Sequence, residues 1–498
     1  MPTTLHWRRP IHLSSRQGPP PVQAPSSVTT SFSDLLAAAA QGSRQLEDDG
    51  VLSLALPLPG RDPMALLPHL EEGERFRFLW DSAPGLCLAA SGRTNSLELS
   101  GPRRFELAQR FSAVSLSRLA APQSCPPLAR PRVLLAFAFF DSPLQEGEGV
   151  PGVQAVLPRW QLSRQGRHCW LRLQRSLGGA VTARSLAEEL WEQAQHLVGL
   201  PTDPRATGGD GAGAGGGDGD GPGLAIASSS NWQADYRSAV ERGLQLVEAG
   251  TLRKLVLAVR QHLVLERPLD PLHLLAQLRQ RQPGSCRFLW QQADGIALLG
   301  ASPERLLTVR MGQLRSDALA GTAPIGPAAD LLLQSDKDRR EHELVVEAIT
   351  DVLQQTGLVP RRPRHPRLAR HGQLVHLHTP ITAALGSQQP LTVAAALHPT
   401  PAVAGLPRRE AMAALRSLEC FERGIYAAPI GWIDSAGDTE LRVAIRSGTL
   451  QGRRLELTAG AGLVRGSVPE RELQEVALKL GVLLQQLTLP LRPAASPW

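Results

Sequence analysis

"RFLWQQADGIALLGAS", residues 287–302, reads as a strand, a glycine turn and a second strand. Nearly the same text stands at 77–92, "RFLWDSAPGLCLAASG", so one local plan recurs in both halves of the chain. Other β-rich runs surround these two: "RVLLAFAFF", "GVQAVLPRWQL", "KLVLAVRQHLVL", "ELRVAIRSGTL" and "RLELTAGAGLV". Amphipathic patterns predict helices over 235–249, 337–355, 408–418 and 470–486. Strands that arrive in pairs, with helices grouped between them, predict an α+β fold. Its antiparallel sheets pack together with helices outside, an αββα layering.

The 498 residues suffice for one large domain or two to three ordinary ones. With 42% hydrophobic and 20% charged residues, the composition is that of a soluble globular protein. Net charge is +7, but 53 basic and 46 acidic residues are spread without a long Lys/Arg block or interleaved aromatics, so no nucleic-acid partner is expected. Cys87, Cys125, Cys169, Cys286 and Cys420 form no CxxC pair, which predicts neither a disulfide framework nor a zinc site. "VLLAFAFF" is only strand length, so no membrane span is expected. Residues 1–30 read as a disordered Pro/Ser-rich tail of a cytoplasmic protein, a plastid transit peptide being the alternative. The stretch "GGDGAGAGGGDGDGPG" places a flexible insertion at 206–223, between an N-terminal part (31–205) and a C-terminal part (224–490).

Four segments are candidates for chemistry. In "KLVLAVR", Lys254, Val256 and Ala258 share one strand face, which makes Lys254 either a desolvated base or the snorkelling start of an edge strand. In "GASPERLL", Glu304 follows Pro303 at a turn, as a carboxyl kept protonated by apolar walls or as a surface acid. In "SDKDRREHELVVEAITDVLQQTG", Ser335 with Asp338 starts a helix and Gly357 stops it. That places Glu341 on the apolar stripe of Leu344, Val345, Ala348 and Val352. In "AGAGLVRGSVPERELQEVALKL", residues 459–480, bare backbone in a turn precedes a helix whose Glu472, Glu475 and Lys479 share a face. The turn's amides can approach an anion, and Glu341 with Glu475 are oxygen donors of the kind Mg²⁺ takes, although a solvated Glu475–Lys479 pair explains the last segment equally. His376 and His378 of "HLHTP" read as hydrogen-bonding residues rather than metal ligands.

Taken in order, "KLVLAVR", "GASPERLL", "ALAGT", "DKDRREHELVVEAI", "HLHTPI", "LHPTPAVAGLP", "RGIYAAPIGWID", "RVAIRSG", "AGAGLV" and "PERELQEVALKL" resemble the chorismate-utilising enzymes, and among them the isochorismate synthases. The likeness covers about 224–490 and implies a single αββα domain in place of two. It implies a Mg²⁺-dependent isomerisation in which water enters at C2 of chorismate while the C4 hydroxyl leaves. By the same likeness, Lys254 activates the water and Glu304 protonates the leaving hydroxyl. Glu341 and Glu475 hold Mg²⁺ with Glu472 as an outer acid. Gly321, Thr322, His376, Thr379, Ala402, Tyr426, Arg446, Gly460, Ala461, Gly462 and Lys479 surround the substrate. Ala320 and Ala402 differ from the lysine and threonine of relatives that install ammonia, and Ala318 from the proline of salicylate synthases. Water as nucleophile, release of isochorismate, no glutamine amidotransferase subunit and a monomer follow as expectations. Val375 and Ala428 depart from the family's usual glutamine and glycine.

Overall fold

Both copies of the RFLW text form hairpins: Arg77–Asp81 pairs with Cys87–Leu99, and Cys286–Gln291 with Ala297–Ser302. The first strands of the two hairpins also pair with each other. Phe78 lies opposite Trp290, Leu79 opposite Leu289 and Trp80 opposite Phe288, a register symmetric about the leucine pair. This computed structural model describes residues 31–46, 50–70, 76–82, 84–143, 149–201 and 226–488; the tail 1–30 and the insertion 206–223 named above lie outside them.

Alternation along these strands sorts the side chains into two cores. Phe78, Trp80, Phe288 and Trp290 join Leu134, Ala136, Ile430 and Trp432 in one cluster. Leu79, Leu289, Val133 and Leu135 join the larger one, which the helices complete. Strands buried on both faces read as continuous apolar runs, because one face meets other strands and the other meets helices. The described strands form one hydrogen-bonded network from both halves of the chain, antiparallel apart from a short parallel contact of Val51–Leu52 with Leu119–Ala120. Helices Phe32–Arg44 and Ala183–Gly199 cover the strand Val51–Pro57, and Gln233–Glu248, Asp336–Gln355 and Pro469–Thr488 cover strands of the second half. Among the described residues no helix is long and apolar enough to cross a membrane, and all five cysteines are free thiols.

Two expected elements change. The Ala459-Gly460-Ala461-Gly462 segment is strand, not turn: Arg454–Leu463 pairs with Lys254–Leu265 up to Leu463 opposite Leu255. Alternation of alanine with glycine makes a narrow strand, and the real turn follows at 464–468. Conversely, "ELRVAIRSGTL" is not one strand. It breaks between Thr439–Val443 and Ser447–Gln451, with Arg446 in the left-handed region at φ 53°.

Candidate active site

The strand Lys254–Leu265 follows a tight Gly250 turn (φ 76°) and keeps the expected alternation. Leu255 and Leu257 enter the core, while Lys254, Val256 and Ala258 line a cavity of about 70 Å³. Lys254 is therefore no edge residue; it is 1% exposed and pairs with Glu341 at 2.9 Å.

Glu341 reaches it from the helix Asp336–Gln355, capped by the Ser335 hydroxyl on the Asp338 amide and ended at Gly357 (φ 80°). The helix buries His342, Val345, Val346, Ile349 and Leu353, a stripe one residue on from the predicted one. The strands Gln313–Pro324 and Leu374–Ala384 pack against that helix, which leaves Glu341 free for Lys254. Glycine makes the approach possible. A Cβ on Gly462 would stand 2.5 Å from Glu341 Oε1 and 3.2 Å from Lys254 Cε. The bare strand thus makes room for an ion pair. Gly460 has a second use. It lies opposite Ala258, whose amide donates to Glu419 instead of across the ladder, so the backbone of Gly460 points off the ladder. Its carbonyl accepts from Lys479 Nζ at 2.7 Å.

Glu304 sits between the strands Ala297–Ser302 and Arg305–Arg310 and is 4% exposed. Burial raises its pKa to about 7, against the opposing pull of Lys254, the Thr400 hydroxyl, Lys479 and Arg446. Such a carboxyl still carries its proton near neutrality and can give it up. Arg446 faces the same cavity. Gly300 accommodates its unusual backbone, since a Cβ there would lie 2.5 Å from the Arg446 carbonyl oxygen. Burial lowers the Arg446 pKa to about 10, which leaves it cationic at neutral pH. It forms no ion pair among the described residues, and its buried Nη1 has no partner. Its Nη2 lies 3.4 Å from His376 Nε2, while His376 Nδ1 lies 2.9 Å from the Gly321 carbonyl. Burial and the nearby guanidinium keep His376 neutral. Its partners assign the proton to Nδ1, donating to Gly321, and leave Nε2 to accept from Arg446. A register shift between Ala320 and Ala323 and a φ of 70° at Gly321 set that carbonyl in place.

The helix Pro469–Thr488 contributes the remaining charges. Glu475 pairs with Lys479 at 2.7 Å; burial resists its ionisation, but Lys479, Lys337 and the Thr322 hydroxyl outweigh this and lower its pKa. Glu472 is 1% exposed and pairs with Lys337 at 2.8 Å. Burial first, then the charge of Glu475, raises its pKa.

The cavity gathers Lys254, Glu304, Glu341, Glu475, Gly321, Thr322, His376, Ala402, Tyr426, Arg446, Gly460, Gly462 and Lys479. Three expected residues fall off its lining. Ala461 points into the core from the opposite strand face. Thr379 Oγ1 lies 2.8 Å from His342 Nε2, behind the helix. Glu472 is turned to Lys337. Val375 and Ala428, the two departures from the family pattern, also lie off the lining.

Two residues passed over in the sequence matter here. Arg423, buried and paired with Glu419, donates to the carbonyls of Val256 and Val403 and lies 5.9 Å from the centre of the Tyr426 ring. A Glu and an Arg four residues apart in "LECFERG" were the available signal. Lys337 precedes Glu341 by one helical turn and had none beyond its charge.

The donor set suits Mg²⁺. Glu341 and Glu475 line one cavity and could together hold a divalent cation, each being paired with a lysine in the structure. No cluster of three acidic, His or Cys donors occurs among the described residues. Mg²⁺ needs only one or two carboxylates, completed by water and substrate oxygens.

Comparison with known proteins places the chain in a family. The model of the family described as "Chorismate binding enzyme" matches residues 35–488. The "Salicylate biosynthesis isochorismate synthase" of Pseudomonas aeruginosa is 40% identical over 268 residues, 52% of this chain and 54% of that protein. "Isochorismate synthase DhbC" of Bacillus subtilis is 39% identical over 269 residues, 51% of this chain and 67% of its own length. The chain thus spans little more than half of the first relative and two thirds of the second. Among solved structures, MenF, the menaquinone-specific isochorismate synthase of Escherichia coli, superposes with a TM-score of 0.70 at 27% identity, over 91% of this chain and 99% of that one. Anthranilate synthase component I of Streptococcus pneumoniae shares the fold, with a TM-score of 0.63 at 19% identity over 86% and 98%. With a family model matched over nearly its whole length, the chain belongs to the chorismate-binding enzymes.

Proposed function

We propose that the chain isomerises chorismate to isochorismate. The observation that carries this reading is Arg446, a buried cation with an unpartnered Nη1, facing a cavity that also holds a lysine and a protonatable carboxyl. A buried charge without a counter-ion is unfavourable, and an anionic ligand removes the penalty. Chorismate carries two carboxylates. Arg446 takes one, with Lys479 and the outward-facing backbone of Gly460 beside it.

Once its ammonium proton has passed to solvent, the Lys254 amine takes a proton from water as the water oxygen bonds to C2. The ring double bonds shift, the C4–oxygen bond breaks, and Glu304 gives its proton to the departing hydroxyl. Substrate and product are isomers, so no oxidant or second substrate is needed. The methyl groups of Ala320 and Ala402 on the lining leave the nucleophile's place to water. Glu341 and Glu475 would hold Mg²⁺, which when bound would supply positive charge to offset a ring carboxylate otherwise repelled by those acids.

Chromatography of protein incubated with chorismate, with Mg²⁺ and then with EDTA, tests the reading. A Mg²⁺-dependent isochorismate peak supports it. A dominant salicylate peak assigns a further pyruvate elimination to the same cavity, and untouched chorismate overturns it.

A further inference from the structure

The second half of the chain contains an uncompensated basic stretch. No Asp or Glu occurs from 352 to 409, while arginines stand at 361, 362, 364, 367 and 370. Pro363 and Pro366 interrupt the run, so it forms no continuous Lys/Arg block. In the fold, residues 362–366 lie against the first half of the helix Asp336–Gln355, and a cleft of about 670 Å³ opens between them. Arg339 and Arg340 of the helix and Arg362 and Arg364 of the connection line it. Only two acids share the lining, Asp336 and Glu343, and Arg362 already engages Glu343 at 2.8 Å. Arg339, Arg340 and Arg364 are exposed and form no ion pair among the described residues.

A second, independent feature lies on the same wall. His342 lines the cleft and is 1% exposed. One ring nitrogen, Nε2, meets Thr379 Oγ1 at 2.8 Å, but Nδ1 has no partner. A buried polar atom left unpaired is unfavourable, and a ligand oxygen relieves the penalty. Several guanidinium groups held around one concavity repel one another, and their planar forks match oxyanions in pairs.

We propose that this cleft is an anion site, separate from the catalytic cavity, for a compact polyanion. Its oxygens are held by Arg340 and Arg364 at the rim and by His342 at the base. The shared chemistry is a cluster of negatively charged oxygens, from phosphoryl groups or from several carboxylates. His342 adjoins Glu341 in the helix, and Thr379 stands three residues from His376 on one strand, so occupancy has a short route to the catalytic cavity. Coupling of this kind is reciprocal: an anion that alters Mg²⁺ affinity must itself be bound differently when Mg²⁺ is present.

The test is titration calorimetry on the full-length, metal-free protein at low ionic strength. Inorganic pyrophosphate and citrate are the two probes, and sodium chloride at matched ionic strength is the screening control. Saturable binding of either probe at one site per chain is expected, weakened about tenfold or more by Arg340→Ala with Arg364→Ala. Pyrophosphate binding alone identifies phosphoryl ligands, citrate alone carboxylate ligands. Both substitutions are on the surface, so the fold persists, and Arg340→Glu must weaken binding further than alanine. Arg184→Ala, which removes an exposed pair with Glu188 elsewhere, must leave it unchanged. Arg446→Met separates this site from the catalytic one: binding retained in that variant supports the cleft, and binding lost there overturns it. No saturable heat with either probe, or equal affinity in the double variant, also overturns it.

Discussion

Gly462→Ala adds one methyl group to the strand beneath the Lys254–Glu341 pair. The glycine has no left-handed φ, so its backbone accepts alanine, and any effect comes from the Cβ alone. That atom would lie 2.5 Å from Glu341 Oε1 and 3.2 Å from Lys254 Cε. Ordinary contact requires the carboxylate to retreat by roughly 0.5–1 Å, and a misplacement of that size costs about a hundredfold in rate, or roughly 2.7 kcal/mol of barrier. Both the proposed base and one proposed metal-binding carboxylate shift together. We expect kcat/KM for chorismate to fall about a hundredfold, with a weaker Mg²⁺ response and a circular-dichroism spectrum like that of the parent. The stability loss is confined to the roughly 1–3 kcal/mol of mild overpacking. The assay is chromatographic quantitation of isochorismate over a Mg²⁺ series. Parental kcat/KM together with a parental Mg²⁺ titration would refute the claim that this glycine makes room for the pair.

The remaining predictions are shorter. Glu304 must be protonated to act, so kcat falls as pH rises through about 7; Glu304→Gln should lose that alkaline limb along with about a hundredfold or more of turnover, and a limb that persists in the variant assigns it to another group. The same shift carries a stability consequence. A carboxyl whose pKa rises from 4.5 to about 7 on folding favours the folded state most below pH 4.5, and that contribution is lost as pH rises through about 7. Glu304→Gln should therefore be more stable than the parent at pH 8, by at most roughly 3 kcal/mol, with the gap closing in acid; denaturant titrations at both pH values check the sign. Arg446→Met should raise the melting temperature of the ligand-free protein while nearly abolishing chorismate turnover, because it removes a buried charge that forms no ion pair and has an unpartnered Nη1; a destabilised variant would mean that the contact with His376 and the charges of Glu475 and Glu304 already compensate the guanidinium. Gly481→Ala, on the helix Pro469–Thr488 with only Gln485 Nε2 at 3.7 Å from the new Cβ, should stabilise by about 0.4–1 kcal/mol without altering kinetics.

Local pattern made much of this legible. Alternation about Lys254 grouped it with Val256 and Ala258 on one strand face without deciding between buried base and edge lysine, a serine cap and a glycine stop bounded the helix of Glu341, and the repeated RFLW text marked the paired central hairpins. What stayed hidden depends on packing between distant segments. Ala-Gly repetition suits a turn as well as a strand, and only the partner strand 254–265 decides between them. Arg446 interrupts an apparently continuous strand because its neighbours, including the bare Gly300, accept a left-handed residue there. The face of a strand or helix is set by what covers it, so Ala461 went to the core and Thr379 to His342. Glu472 lay on the right helix face by spacing, yet Lys337, more than a hundred residues earlier, claims it. Arg423 organises the floor of the cavity through backbone carbonyls, a role with no periodic signature.

The most direct measurement is mass spectrometry of the product formed from chorismate and Mg²⁺ in water enriched in heavy oxygen. If Lys254 activates a water for attack at C2 while Glu304 expels the C4 hydroxyl, the isochorismate formed is heavier by one labelled oxygen, and neither Lys254→Ala nor Glu304→Gln yields it at a comparable rate. Unlabelled isochorismate, or unchanged chorismate in the parent protein, would contradict the account.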